Sequence, residues 1–169
     1  MLARKLCLAL AFASSCCYAN DYDEVAALVR AGKGQEAMPR IEQFLQTRPR
    51  DVQMRFFKGV VQRESGKSSD ALFTFNEIVQ DYPELPEPYN NMAVIYASQN
   101  ELEKARAALD KALQNNPDYA VAHGNLGDVL TRQALVSYRR AQQLGATGFN
   151  LPAKIEALLA LTLSSELKK

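Results

Sequence analysis

The chain has 169 residues, 47% apolar and 23% charged, a globular balance that excludes disordered and collagen-like classes. Its 20 basic and 19 acidic residues give a net charge of +1 without any basic block, so nucleic acid is not an expected partner. Tryptophan is absent, Ala and Leu are frequent, and β-branched runs and Asn-Gly turns are missing, which predicts an all-α fold.

Residues 1–19 read as a secretory signal peptide, because Arg4 and Lys5 precede an apolar run from Leu6 to Ala13 and then the small residues Ser14 and Ser15. That run is about half the roughly 20 residues needed to cross a bilayer, so no permanent membrane span is expected. Cys17, Tyr18 and Ala19 place small side chains at the positions a signal peptidase reads, with the mature start at Asn20. The alternative is a lipoprotein anchored through Cys16, since Ala13-Ser14-Ser15-Cys16 loosely resembles a lipobox. All three cysteines, Cys7, Cys16 and Cys17, fall in this segment. Cleavage before Asn20 therefore leaves a periplasmic or secreted chain with no disulfide, thiolate metal site or cysteine nucleophile. It also removes Arg4 and Lys5, so 18 basic residues then face 19 acidic ones and the net charge becomes −1.

From Asn20 onward a 34-residue period dominates: it spaces Pro49, Pro83 and Pro117, Ala37, Ala71 and Ala105, then Ile41, Phe75 and Leu109. Phe44, Ile78 and Ala112 keep the same spacing, as do Leu45, Val79 and Leu113. Each class has a physical task in a helix-turn-helix unit. The prolines stop one unit, because proline has no N–H to donate and clashes with the preceding turn. The alanines let two helices approach where they cross, and the bulky residues four and eight positions on form one apolar stripe. Gly32, Gly66 and Asn100 stand where a left-handed residue would end each first helix. On the first helices, Gly59, Ala93 and Gly127 repeat as small residues beside Met92, Leu126, Tyr96 and Leu130.

The stretch from Pro86 to Pro117 resembles a tetratricopeptide repeat through Tyr89, Met92, Ala93, Tyr96, Ala105, Leu109, Ala112 and Pro117. Val52 to Pro83 resembles it through Gly59, Gly66, Ala71, Phe75 and Pro83. The resemblance implies a right-handed solenoid of three to four helix pairs. It divides the chain into a degenerate N-terminal cap at 20–51, repeats at 52–85 and 86–119, a repeat-like segment at 120–144, and a capping helix and tail at 150–169. Pro152, just after Asn150, suits the start of that last helix.

Three departures stand out. Asp21, Asp23 and Glu24 make the first helix polar, as an end cap would be, and suit the positive end of the helix dipole better than a metal. In the second unit, Arg55, Lys58 and Gln62 occupy positions where the family has packing residues, so the apolar face is rotated onto Phe56 and Val60. Those two either line a ligand groove or cover the short first unit. In the last unit Ala134, Tyr138 and Ala141 keep small-bulky-small spacing but come five residues early, with no Pro or Gly between Gly127 and Leu144. Its two helices are expected either to shorten or to fuse into one of about 25 residues, ~37 Å long.

Catalytic chemistry is thin, and no enzyme activity is expected. His123 is the single histidine, at a position where the family packs an aromatic, and one histidine nucleates neither a catalytic triad nor a zinc site. No metal or other cofactor is implied. The resemblance instead implies an inner surface, built from the first helices, that receives a partner's peptide or helix. Asn91 and Asn125, one period apart, occupy a position that in the family often bonds a bound peptide backbone; the plainer reading is a pair of solvated amides. Asn90, Val94 and Ala97, then Asp128, Thr131 and Arg132, map to the surrounding groove. The expected function is an adaptor for protein partners in the bacterial cell envelope. The alternatives are an envelope assembly factor or chaperone-like subunit, and a self-associating structural subunit. The oligomeric state and the partner's identity stay open at this level.

Overall fold

The computed structural model describes residues 21–147 and 150–166, and these residues form helices and turns with no strand among them. The signal-peptide and Cys16 readings lie outside the described residues. Eight helices follow in chain order: α1 through residues 21–30, α2 Gly34–Thr47, α3 Val52–Glu64, α4 Ser68–Asp81, α5 Pro86–Ser98, α6 Leu102–Asn115, α7 Ala120–Gln143 and α8 Leu151–Glu166. They fall into two compact units, one ending at Pro83 and one starting at Glu84.

The turns inside the helix pairs share one construction. Gly32, Gly66 and Asn100 have φ of 69°, 75° and 60°. After each of them a second amide reaches back over the helix end: Lys33 to the Leu28 carbonyl, Lys67 to Gln62 and Glu101 to Tyr96, at 2.9, 2.9 and 2.8 Å. This satisfies carbonyls that a helix end leaves open, and it needs a residue tolerant of the left-handed region. The spacing of Gly and Asn in the sequence is the direct cause of the hairpins.

In the first unit, α1 and α2 close over α3 through Val25, Ala37, Ile41, Phe44, Met54 and Val61, all buried. The polar start of α1 is tied down by Tyr22, whose phenol donates to Asp51. Asp51 is also the N-cap of α3, accepting from the Met54 amide at 2.9 Å. One carboxylate thus caps one helix and anchors another. Burial, then the bond to Asp51 and its charge, push the Tyr22 phenol up from 10.0 to about 12. The unfolded phenol ionises near its ordinary value and the folded one only later, so the Tyr22 contribution is complete below pH ~10 and is lost as pH rises toward ~12. The melting-temperature advantage of wild type over Tyr22→Phe is therefore expected to shrink across that interval. A constant difference in melts run through it would contradict the assignment.

The second hairpin, α3 with α4, shows how polar residues replace expected packing ones. Arg55 is buried and its Nη1 donates to Asp81 at 2.6 Å, with Glu77 at 4.0 Å. Gln62, also buried, accepts from the Thr74 hydroxyl at 2.8 Å. Both are bonded, so neither carries the penalty of an unpaired buried polar group. The ring of Phe75 lies against Gly59, where an added Cβ would stand 2.6 Å from Cε1.

In the second unit, α5 and α6 form a hairpin around Ala93, Ala105, Leu109 and Ala112, all buried. Pro86 opens α5 at its first turn, where the missing N–H costs nothing. The next segment does not turn: α7 is one continuous helix of 24 residues. The turn construction reappears only at Gly145, with φ 75° and the Ala146 amide bonded to the Ala141 carbonyl. One period after Asn100 stands Ala134, a strong helix former with no tolerance for the left-handed region, and the helix runs through it.

Candidate functional site

α7 is held on the α5–α6 hairpin by a row of polar contacts. Asn125 Nδ2 donates to Asn90 Oδ1 at 2.8 Å. One to two turns later Arg132 donates to the Ala97 carbonyl at 2.7 Å and to Asn100 Oδ1 at 3.1 Å, and Gln133 donates to Glu103 at 2.8 Å. Arg132 thereby serves the C-terminal end of α5, where open carbonyls and the helix dipole favour a cation. At the other end His123 Nε2 donates to the Pro117 carbonyl at 2.7 Å, closing the turn into α7. Tyr119 in that turn is half-buried, and burial followed by the charge of Glu87 raises its phenol above the ordinary value.

This geometry assigns each residue read from the sequence a place. Asn90 and Asn91 are 5% and 7% exposed. Asn91 Nδ2 donates to the Glu87 carbonyl one turn back in its own helix, at 2.9 Å. Asn125 pairs with Asn90, so the two asparagines one period apart stand in different environments. Asn90 and Asn125 are the amides that meet; Asn91 is turned toward its own backbone. Val94 and Ala97 are half-buried, Asp128 is exposed, and Thr131 donates to the Gly127 carbonyl within α7. Arg132 is a bracket between helices, with two of its donors committed. In the first unit Val60 is buried, and the half-buried Phe56 ring stands 5.9 Å from that of Phe75 and 6.5 Å from that of Phe57. Both side chains take part in the packing of that unit.

The Asn90–Asn125 contact leaves polar atoms of both amides uncommitted. With one N–H of Asn125 Nδ2 given to Asn90 Oδ1, the pair keeps N–H donors on Asn90 Nδ2 and Asn125 Nδ2 and an acceptor on Asn125 Oδ1. A peptide unit offers the complementary acceptor and donor. Half-buried Val94 and exposed Asp128 lie one turn further along the same two helices, adding an apolar contact and a negative charge. A separate cleft in the first unit, between α1 and α2, is lined by Asp21, Glu24, Arg40 and Thr47, but the Arg40–Glu24 ion pair at 2.5 Å bridges it. Among the described residues no three His, Cys, Asp or Glu side chains converge as a metal site would require. No described helix is long and apolar enough to cross a membrane.

Tetratricopeptide repeat models match residues 22–86 and 86–119, which together take in α1 through α6. The chain belongs to the tetratricopeptide repeat family. No curated protein sequence matches this tetratricopeptide chain. Among solved structures it is similar to YrrB, a tetratricopeptide protein with an unusual peptide-binding site, at 27% identity and a TM-score of 0.57. That alignment covers 62% of this chain and 54% of YrrB, so the chain spans about half the length of that relative. Two others share the fold. One is TTC0263, a thermophilic tetratricopeptide protein of Thermus thermophilus, at 21% identity, TM-score 0.63, covering 84% of this chain and 81% of that one. The other is MamA of Desulfovibrio magneticus RS-1, at 22% identity, TM-score 0.60, covering 85% and 75%. The fold is all-α, of the helix-turn-helix repeat class, and such proteins mediate protein–protein interaction.

Sequence reasoning had no route to Arg132 as a bracket or to the Asn90–Asn125 pair. Both contacts join residues 35 apart, one more than the period, Asn125 to the Asn90 side chain and Arg132 to the Ala97 carbonyl, and the offset arises from how α7 lies on α5. Arg132 and Asn100 carried a faint signal: a cation on one helix and a helix-ending Asn about one repeat earlier.

Proposed function

We propose that this tetratricopeptide protein is an exported, non-catalytic adaptor of the bacterial cell envelope, holding an extended segment of a partner protein along α5 and α7. The observation that carries the reading is the Asn90–Asn125 pair, which offers both donor and acceptor beside Val94 and Asp128. A peptide bond needs that combination, and side chains flanking it would be chosen by an apolar contact and a preference for positive charge near Asp128. The peptide-binding site named for YrrB favours the same class of partner. Export rests on the Arg4 and Lys5 start, the apolar run and the small residues before Asn20. N-terminal sequencing of the chain recovered from periplasm tests it, with Asn20 expected first and Cys16 first if the chain is a lipoprotein.

A peptide selected from a displayed library, then titrated by calorimetry, tests the binding face. Asn125→Ala removes one or two hydrogen bonds of about 0.5 to 1.5 kcal/mol each, so Kd is expected to rise from about twofold to more than a hundredfold. Asp128→Asn should weaken cationic peptides while leaving the melting temperature nearly unchanged, because Asp128 is exposed. Unaltered affinity in both variants would remove α5 and α7 from the binding face.

A further inference from the structure

α7 keeps the surfaces of both helices of a repeat without the contact between them. In the complete hairpins the equivalent row, small then bulky along one face, is sealed: Ala71, Phe75 and Ile78, and likewise Ala105, Leu109 and Ala112, are 0% exposed. The matching row in the second half of α7, Ala134, Tyr138 and Ala141, is only half-buried. α8 covers one side of it, with Lys154 Nζ 5.1 Å from the centre of the Tyr138 ring. The first half of α7 is barer still. A Cβ on Gly59 would strike the Phe75 ring at 2.6 Å, whereas one on Gly124 or Gly127 would meet nothing within 4 Å, and Leu130 next to them is 42% exposed. The first half lacks the second helix that would lie on its glycines, and the second half lacks the first helix that would complete its cover. Because α7 is one unbroken helix, neither half can reach the other within one chain.

We propose that two copies of this chain pair through antiparallel α7 helices, the Tyr138 ring of each seated on the Gly124–Gly127 surface of the other. A second copy is the occupant for two reasons. Both incomplete surfaces are on one helix, so a two-fold pairing completes four half-sites at once, whereas a foreign helix would complete only one kind. Charge runs the same way: residues 120–131 carry Asp128 and no Lys or Arg, while residues 133–143 carry Arg139 and Arg140 and no Asp or Glu. Antiparallel pairing brings the arginines of each copy toward the acidic half of the other and opposes the two helix dipoles. The pairing restores between chains the contact that Phe75 makes with Gly59 inside one.

Sedimentation velocity of the full chain, under reducing conditions over a range of concentrations, is expected to show a monomer–dimer equilibrium. Gly127→Gln fills the seat with a long, helix-favouring polar side chain whose Cβ meets nothing within 4 Å inside the monomer, so helicity and melting of the dilute protein should be kept or raised while dimerisation weakens at least about tenfold. Tyr138→Ala should weaken it similarly. A mixture of the Gly127→Gln and Tyr138→Ala proteins should recover dimer that neither forms alone, because the mixed pair retains one intact seat. A wild-type chain that stays monomeric at its highest soluble concentration overturns the proposal, as does a dimer indifferent to Gly127→Gln or a mixture without recovery. A monomer that instead captures a helix of another protein on the same glycines equally overturns the second copy as occupant.

Discussion

Phe75→Ala is expected to cost about 3 to 5 kcal/mol, a large share of the roughly 5 to 15 kcal/mol that holds an ordinary domain folded. The ring is 0% exposed, covers the backbone of Gly59, and stands 5.9 Å from the ring of Phe56. Removing it leaves a cavity whose floor is a glycine, which has no side chain to move in, and whose wall is Phe56, already committed to Phe57 at 6.5 Å. The site therefore has little means to collapse, which places the loss toward the upper end of the range. Phe73, two residues away and 67% exposed, serves as control: its change to Ala should stay within about 0.5 kcal/mol. Urea unfolding monitored by circular dichroism would show the midpoint falling for Phe75→Ala with the slope retained. In a repeat fold the damage should be local, so amide exchange should accelerate in α3 and α4 before α5 and α6. Equal loss for the Phe73 and Phe75 variants would mean that the hairpin register is wrong.

The features legible in the sequence were those that a single repeat determines by itself. Gly32, Gly66 and Asn100 announce the hairpin turns because few other residues tolerate a positive φ, and the structure has all three there. Ala71 and Phe75 announce the helix crossing because size alone decides how near two helices come, and both are 0% exposed. What could not be read depends on how one helix lies on the next. Asn91 and Asn125 are equivalent in the 34-residue period, yet Asn91 bonds its own helix at Glu87 and Asn125 crosses to Asn90. An asparagine can satisfy its amide locally or across a gap, and only the spacing of the helices decides between them. Arg55 and Gln62 look out of place on a packing face by residue type alone. They are accepted there because Asp81, Glu77 and Thr74 on α4 stand opposite them.

Gly59 and Gly127, equivalent in the period, should answer the same substitution with opposite signs. In a helix interior Gly→Ala ordinarily stabilises by about 0.5 to 1 kcal/mol, since alanine loses less backbone entropy on folding. At Gly127 nothing lies within 4 Å of the new methyl group, so in solution too dilute for pairing through α7, Gly127→Ala should gain that amount. At Gly59 the methyl group would stand 2.6, 2.8 and 3.0 Å from Cε1, Cζ and Cδ1 of Phe75, closer than carbon atoms approach without repulsion. The ring cannot retreat, being fully buried in the hairpin with Phe56 against it. Overpacking of this kind costs about 1 to 3 kcal/mol, which exceeds the helix-propensity gain and makes Gly59→Ala destabilising on balance. Thermal melts of the two variants against wild type read the difference directly, and stabilisation at both positions would mean that α3 and α4 are not in the close contact that Gly59 permits.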